Sequence, residues 1–263
     1  MTDSDNKKWA LITGASSGIG RALALEFAAG GYNVFLTARD KIALAQVADD
    51  CKNGFGVRAE IFPADLSQTD QTDALINTIS ARPIEILVNN AGFGVKGHFA
   101  ETALGEELAM LELQLAAMLK LTKNVLPKMI AQKSGRILNV ASVYSFSPVP
   151  KQSVYSACKS FIFSFSSSLR AELKNTGVSV TVLCPGITQT EFRARAGIAD
   201  KKDSGMTAEA VAKIAFAGTI RGKHVIIPGF SNKLFVFLSR HLPFSLQSAM
   251  INFINKRRGV NKK

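Results

Sequence analysis

The chain has 263 residues, 47% of them hydrophobic and 20% charged, with a formal net charge of +12. That composition can build a core and argues against disorder, while no apolar run reaches the roughly 18 residues that a membrane-crossing helix needs. The polar start, Met1 to Lys8, lacks the apolar stretch of a signal peptide, so a cytoplasmic protein is expected. Cys51, Cys158 and Cys184 are scattered, as are His98, His224 and His241; neither a disulfide framework nor a metal site is expected.

In chain order, apolar runs alternate with helical patterns. Strand-like runs lie at Trp9–Thr13, Asn33–Ala38, Arg58–Pro63, Ile84–Asn89, Arg136–Ala141, Ser179–Cys184 and His224–Ile227. Most are rich in Val, Ile and Leu on both faces, as strands covered on both sides are. Helices are expected at Ile19–Gly30, Lys41–Cys51, Asp70–Ser80, Gly105–Lys133, Val154–Asn175 and Ala208–Ala217. The alternation predicts an α/β fold, a doubly wound and mostly parallel sheet with helices on both faces.

The first turn reads Thr13-Gly14-Ala15-Ser16-Ser17-Gly18-Ile19-Gly20, between a strand and a helix. Glycines let the backbone turn sharply and approach a pyrophosphate, and the helix start offers free N–H groups to phosphates. The alternative is a purely structural turn; the strand–turn–helix context favours a dinucleotide site. At the end of the second strand an acidic residue would bind ribose hydroxyls, but Ala38-Arg39 stands there. Arg39 can clamp a 2′-phosphate or simply face solvent, and the first reading predicts NADP(H) in preference to NAD(H).

Further on, Tyr155 and Lys159 are four residues apart on one helix face. An ammonium beside a phenol favours phenolate, which suits acid–base chemistry near neutral pH. Ser142 follows the fifth strand at the carboxyl edge, where ligands bind in such folds, and its hydroxyl can polarise a carbonyl.

Taken together, these pieces resemble the short-chain dehydrogenase/reductase family. The resemblance rests on the glycine-rich turn, Asp65-Leu66, Asn89-Asn90-Ala91-Gly92, Ser142, Tyr155-x-x-x-Lys159 and Pro185-Gly186-Ile187-Thr188-Gln189-Thr190, in family order over residues 8 to about 230. It implies a single Rossmann-type domain with a seven-stranded, mostly parallel sheet; beyond it, the composition of about 231–263 predicts a basic, partly apolar C-terminal helical extension. The resemblance implies that Ser142 orients the substrate carbonyl, that Tyr155 exchanges the proton, and that Lys159 holds the nicotinamide ribose and tunes Tyr155. It places Gly14, Ser16, Ser17, Gly18, Ile19, Gly20, Arg39, Asp65, Leu66, Asn90, Ala91, Gly92, Pro185, Gly186, Ile187 and Thr190 around the cofactor. Two positions depart, one of them the small Cys158 where the family often has serine, for which a structural role suffices; the other matters. Where the family usually has an asparagine that anchors a relay water, this chain has Gln114, one methylene longer. The main expectation is an NADP(H)-dependent oxidoreductase acting on a carbonyl or secondary alcohol, with 3-oxoacyl reduction as one option. Gln114 motivates the alternative of a cofactor-binding sensor or scaffold with impaired catalysis.

The remaining features concern partners. Arg193 and Arg195 can meet an anionic substrate or face solvent, and Phe93 and Phe146 suggest an apolar pocket or plain core. Ala157, Ser160, Ser164, Ser168 and Ala171 form a small-residue face on the Tyr155 helix, and the resemblance makes a homo-oligomer the expectation. Residues 201–263 carry twelve basic and two acidic side chains, and from Lys233 onward seven basic and none acidic. The tail reads Leu234-Phe235-Val236-Phe237-Leu238, then Leu246, Met250, Phe253 and Ile254 at helical spacing, then Lys256-Arg257-Arg258. Such a segment can pack over the substrate pocket or a second subunit, or lie on an anionic membrane; packing is the expectation. No nucleic-acid motif appears, and none of that class is expected as a partner.

Overall fold

The computed structural model describes residues 8–196, 205–243, 246–247 and 251, and omits the side chains of Arg193 and Arg195. The first half runs β1 (Trp9–Thr13), α1 (Gly18–Ala29), β2 (Asn33–Ala38), α2 (Lys41–Phe55), β3 (Ala59–Pro63), α3 (Thr69–Ile79) and β4 (Ile84–Asn89). The second half runs α4 (Leu104–Leu111), a π-helical turn (Glu112–Ala116), α5 (Ala117–Ala131), β5 (Gly135–Val140), a 3₁₀ turn (Val143–Phe146), α6 (Ser153–Glu172) and β6 (Val178–Leu183). Then follow β7 (Thr188–Gln189), α7 (Phe192–Arg195), β8 (Met206–Thr207), α8 (Ala208–Ile220), β9 (Val225–Ile226) and α9 (Phe230–His241).

Seven strands form one parallel sheet in the order β3-β2-β1-β4-β5-β6-β9. The chain leaves β1 toward one edge and returns to its other side at β4, so the crevice opens at the carboxyl ends of β1 and β4. β1 is buried along its whole length because both its faces are covered. Ile12, Val34 and Leu36 meet α1, α2 and α8 on one face; Leu11, Phe35, Leu87 and Ile137 meet α3, α5 and α6 on the other.

Two stretches depart from the expected pattern. The single helix anticipated over Gly105–Lys133 is interrupted by the π-helical turn, which centres on Gln114. One extra residue in that turn shifts the phase of α4 against α5, a local device common near functional sites. The apolar run Leu234–Leu238 lies within α9. Met250, Phe253, Ile254 and Lys256–Arg258 fall outside the described residues.

Candidate active site

The parallel sheet delivers the carboxyl ends of β1, β4, β5 and β6 to one crevice, a cleft of about 1170 Å³. That exceeds the roughly 300–1,000 Å³ of an ordinary small-ligand pocket. All the residues assigned to the cofactor from sequence line it: Gly14, Ser16 to Gly20, Arg39, Asp65, Leu66, Asn90, Ala91, Gly92, Pro185, Gly186, Ile187 and Thr190. Ser142, Tyr155 and Lys159 line it as well, whereas Gln114 does not.

The glycine-rich turn is tight. Gly14 has φ 65°, in the region that favours glycine. A Cβ on Gly20 would stand 2.0 Å from the Gly14 carbonyl oxygen, so α1 can approach β1 only with glycine there. Ser17, the N-cap of α1, makes no side-chain cap, and no acidic residue occupies the first helical turn. The N–H groups at the helix start therefore face the cleft uncapped and carry the positive end of the helix dipole. These features fit the pyrophosphate of a dinucleotide.

Asn90 stitches the turn to β4. Its Nδ2 donates to the carbonyls of Thr13 (2.9 Å) and Gly14 (3.2 Å). The Thr13 hydroxyl donates to Val88 O and accepts from the amides of Asn90 and Ala91. Asn90 thus spends its amide donor on shaping the cradle. Further along the cleft, Asp65 accepts from the amide and hydroxyl of Ser67, and its other oxygen lies 3.8 Å from Arg39 Nη1. The Arg39 side chain is 68% exposed, so its guanidinium, paired on one side with Asp65, stands at the cleft rim with its outer side open to an incoming anion.

At the far end, Ser142 caps the 3₁₀ turn, its Oγ accepting from Tyr144 N at 3.1 Å, and it also hydrogen-bonds Tyr155. Lys159 Nζ donates to Val140 O at 3.0 Å and lies 5.5 Å from the centre of the Tyr155 ring. Burial lowers the Lys159 pKa to about 8. Burial also raises the Tyr155 phenol, a shift that the Ser142 hydrogen bond only partly offsets. The Lys159 ammonium is engaged with the Val140 carbonyl, and desolvation dominates the phenol.

Behind these groups runs a buried ladder that the sequence reading did not find. Asn89 Nδ2 donates to Asn139 Oδ1 (2.8 Å) and Thr122 Oγ1 (3.3 Å); Asn139 Nδ2 donates to Ser166 Oγ (2.9 Å), which donates to Ile162 O. It ties β4, β5, α5 and α6 together under the crevice. The only sequence signal was polar residues inside apolar strand runs.

Gln114 is 2% exposed, and its Nε2 donates to Phe93 O at 2.9 Å. It packs against Gly92, where a Cβ would meet its side-chain oxygen at 3.0 Å. Phe93 lines the cleft as expected. Phe146 does not; its ring packs on Phe163 at 4.6 Å and under Arg240, so of its two expected places it takes the core. Cys158, on α6, is buried at 1% exposure. Phe192 of α7 lies 5.7 Å from Tyr155, ring to ring, while the side chains of Arg193 and Arg195 lie outside the described residues. The last wall of the cleft comes from α9 and beyond: Ser231, Asn232, Leu234, Phe235, Leu238 and Ile251. Asn232 occupies the space a Gly186 side chain would need, at 2.1 Å. The expectation that the tail packs over the pocket thus describes the inner face of α9.

The model of the short chain dehydrogenase family matches residues 8–201. The chain belongs to the short-chain dehydrogenase family. It is 34% identical over 219 residues to the ketoacyl reductase HetN of Nostoc sp., covering 82% of this chain and 76% of that one. It is 35% identical over 181 residues to 17-beta-hydroxysteroid dehydrogenase type 3 of Mus musculus, covering 68% of this chain but only 59% of that relative. A solved short-chain dehydrogenase from Sphingobium yanoikuyae in complex with NADPH superposes with a TM-score of 0.81 at 30% identity, covering 97% and 96% of the two chains. This family member is accordingly an oxidoreductase of CH–OH or carbonyl groups that uses a nicotinamide cofactor.

Proposed function

We propose that the chain is an NADP(H)-dependent reductase of an apolar ketone, or dehydrogenase of the matching secondary alcohol, with Tyr155 as proton donor and acceptor. The observation that carries this reading is the convergence of Ser142, Tyr155 and Lys159 at the cleft that the glycine-rich turn opens. The bound nicotinamide supplies or accepts the hydride. In reduction, the Ser142 hydroxyl donates a hydrogen bond to the substrate oxygen as negative charge grows there. The Tyr155 hydroxyl gives its proton to that oxygen, completing the alcohol. The Lys159 ammonium, close to the ring, stabilises the phenolate left behind.

Ribose and pyrophosphate would be held by Lys159, the α1 amides and the Gly14–Gly20 cradle, and the adenine side by Asp65 and Asn90. The preference for NADP(H) rests on the exposed Arg39 guanidinium and on the lack of an acidic residue at the end of β2. The NADPH bound by the Sphingobium relative supports it. An apolar substrate is supported by Phe93, Phe192, Leu234, Phe235 and Leu238 around the far end of the cleft. A 3-oxoacyl chain and a steroid both suit such walls, and the ketoacyl reductase and hydroxysteroid dehydrogenase relatives point the same way. We propose also that residues 8–230 act as one cofactor-binding unit with α9 as its extension. The exposed small-residue face of α6, with Phe161, is read as a contact between subunits.

A panel of apolar ketones with NADPH oxidation as readout tests the reading. Tyr155→Phe is expected to lose at least about 10²-fold in turnover, the lower range for a general acid, with NADPH affinity unchanged. Arg39→Ala is expected to abolish the preference for NADPH over NADH in fluorescence titrations, since one charged contact supplies about 1.5–3 kcal/mol. Wild-type turnover in the first variant, or an undiminished preference in the second, overturns the corresponding assignment.

A further inference from the structure

α9 has two faces with different chemistry. Val236 and Ser239 are buried against the body of the protein. On the opposite face Phe230, Leu234, Phe237 and Leu238 are 82%, 49%, 59% and 40% exposed. Their spacing of four, three and one residues places them in a single stripe along the helix. A soluble surface scatters its exposed apolar side chains singly, whereas a contiguous stripe marks a contact. Lys233 and Arg240, both exposed, lie along one edge of it, Arg240 over the Phe146 ring, and His241 ends it.

We propose that this face of α9 docks on an anionic lipid bilayer. Charge selects that occupant. From Lys233 to the end of the chain there are seven basic residues and none acidic, within a segment, 201–263, that holds twelve basic and two acidic. A second copy meeting α9 to α9 would bring the Lys233 and Arg240 side chains of both copies to one contact, with no carboxylate on the helix to compensate them, and like charges oppose that contact. A negatively charged membrane surface attracts Lys233 and Arg240, and the net charge of the chain adds to that attraction, while aromatic and leucine side chains enter the acyl boundary. No described helix is long and apolar enough to cross a membrane, so the contact is peripheral. Leu234 and Leu238 belong both to the stripe and to the wall of the cleft. Docking therefore sets the apolar end of the cleft against the lipid, where an apolar ketone is concentrated. The docking itself does not depend on which substrate the cleft takes.

The full-length protein would be floated with vesicles of phosphatidylcholine mixed with phosphatidylglycerol, and with vesicles of phosphatidylcholine alone, at low and high salt. The expected result is binding to the mixed vesicles only, weakened by salt. Replacing both Phe230→Ser and Phe237→Ser, neither of which lines the cleft, should reduce binding at least tenfold. Lys233→Glu should reduce it further. NADPH-dependent reduction of a water-soluble ketone without vesicles should remain unchanged in these variants, which shows that they are folded and keeps the test separate from the proposed reaction. No binding to mixed vesicles overturns the proposal. So does equal binding to both vesicle types, or a lower mass by light scattering in the Phe variants, which would assign the stripe to a second copy.

Discussion

Gln114 shows how one methylene redirects a side chain. Its amide reaches the Phe93 carbonyl, and its bulk fills the space beside Gly92, so it holds a stretch that borders the cleft. Asparagine at the same place is shorter and would not span that distance without movement of the helix. Gln114→Ala removes the hydrogen bond and leaves a void; the expected loss is about 1–3 kcal/mol in urea unfolding. Gln114→Asn should recover only part of it, with the Michaelis constant raised in both as the Phe93 segment loosens. Full recovery by Asn would show that the bond to Phe93 does not set the position.

At the scale of elements, the joint between β1 and α1 decides whether the cradle exists. The Gly20 Cα faces the Gly14 carbonyl so closely that any side chain would overlap backbone, which cannot move aside as a flexible side chain could. Gly20→Ala is expected to cost several kcal/mol and to abolish NADPH binding, read by thermal unfolding and fluorescence titration. Near-normal binding would mean that α1 can shift without loss of the cradle. Much of this layer was legible beforehand. The β1, β2 and β4 runs are long, apolar and bounded by turn residues, and their limits agree with the structure. The glycine spacing carried its own steric reason. Other parts were hidden by physics that a linear reading does not carry. The Asn89–Asn139–Ser166 ladder joins residues 50 and 27 positions apart. The π-helical turn around Gln114 leaves no mark on the apolar periodicity of the run. The double role of α9, as cleft wall and as bearer of an exposed apolar stripe, shows only once the helix is placed against Gly186.

The whole molecule responds to pH through the site. Burial takes Lys159 from its ordinary 10.5 to about 8. Unfolded, this lysine keeps its proton up to about 10.5; folded, it releases it near 8. Between these values the unfolded state binds more protons, so stability rises with pH across that window. Below it the cost of burying the charge is constant. Lys159→Met removes that cost, and the variant without cofactor is expected to exceed the parent by about 3 kcal/mol near neutral pH. The gap should close toward pH 10.5, as measured by urea unfolding at several pH values. A constant gap would show that Lys159 keeps an ordinary pKa in the fold. The same titration gives ketone reduction a falling limb above about 8, as the ammonium beside Tyr155 is lost.

The packing of Phe27 on Phe216, ring to ring at 5.1 Å, ties the order of synthesis to the risk of misfolding. The groups assigned to the nucleotide from the glycine turn to Gly92 have all been synthesised once residue 92 of 263 is added. The face of α1 that holds Leu23 and Phe27, however, shares its core with Val211, Ala212 and Ala215 of α8. A growing chain therefore carries an uncovered apolar surface for more than a hundred residues after its cofactor cradle can first assemble. Early cofactor capture would hold β1, α1 and β4 in register during that interval, making the nucleotide a folding aid before it is a reactant.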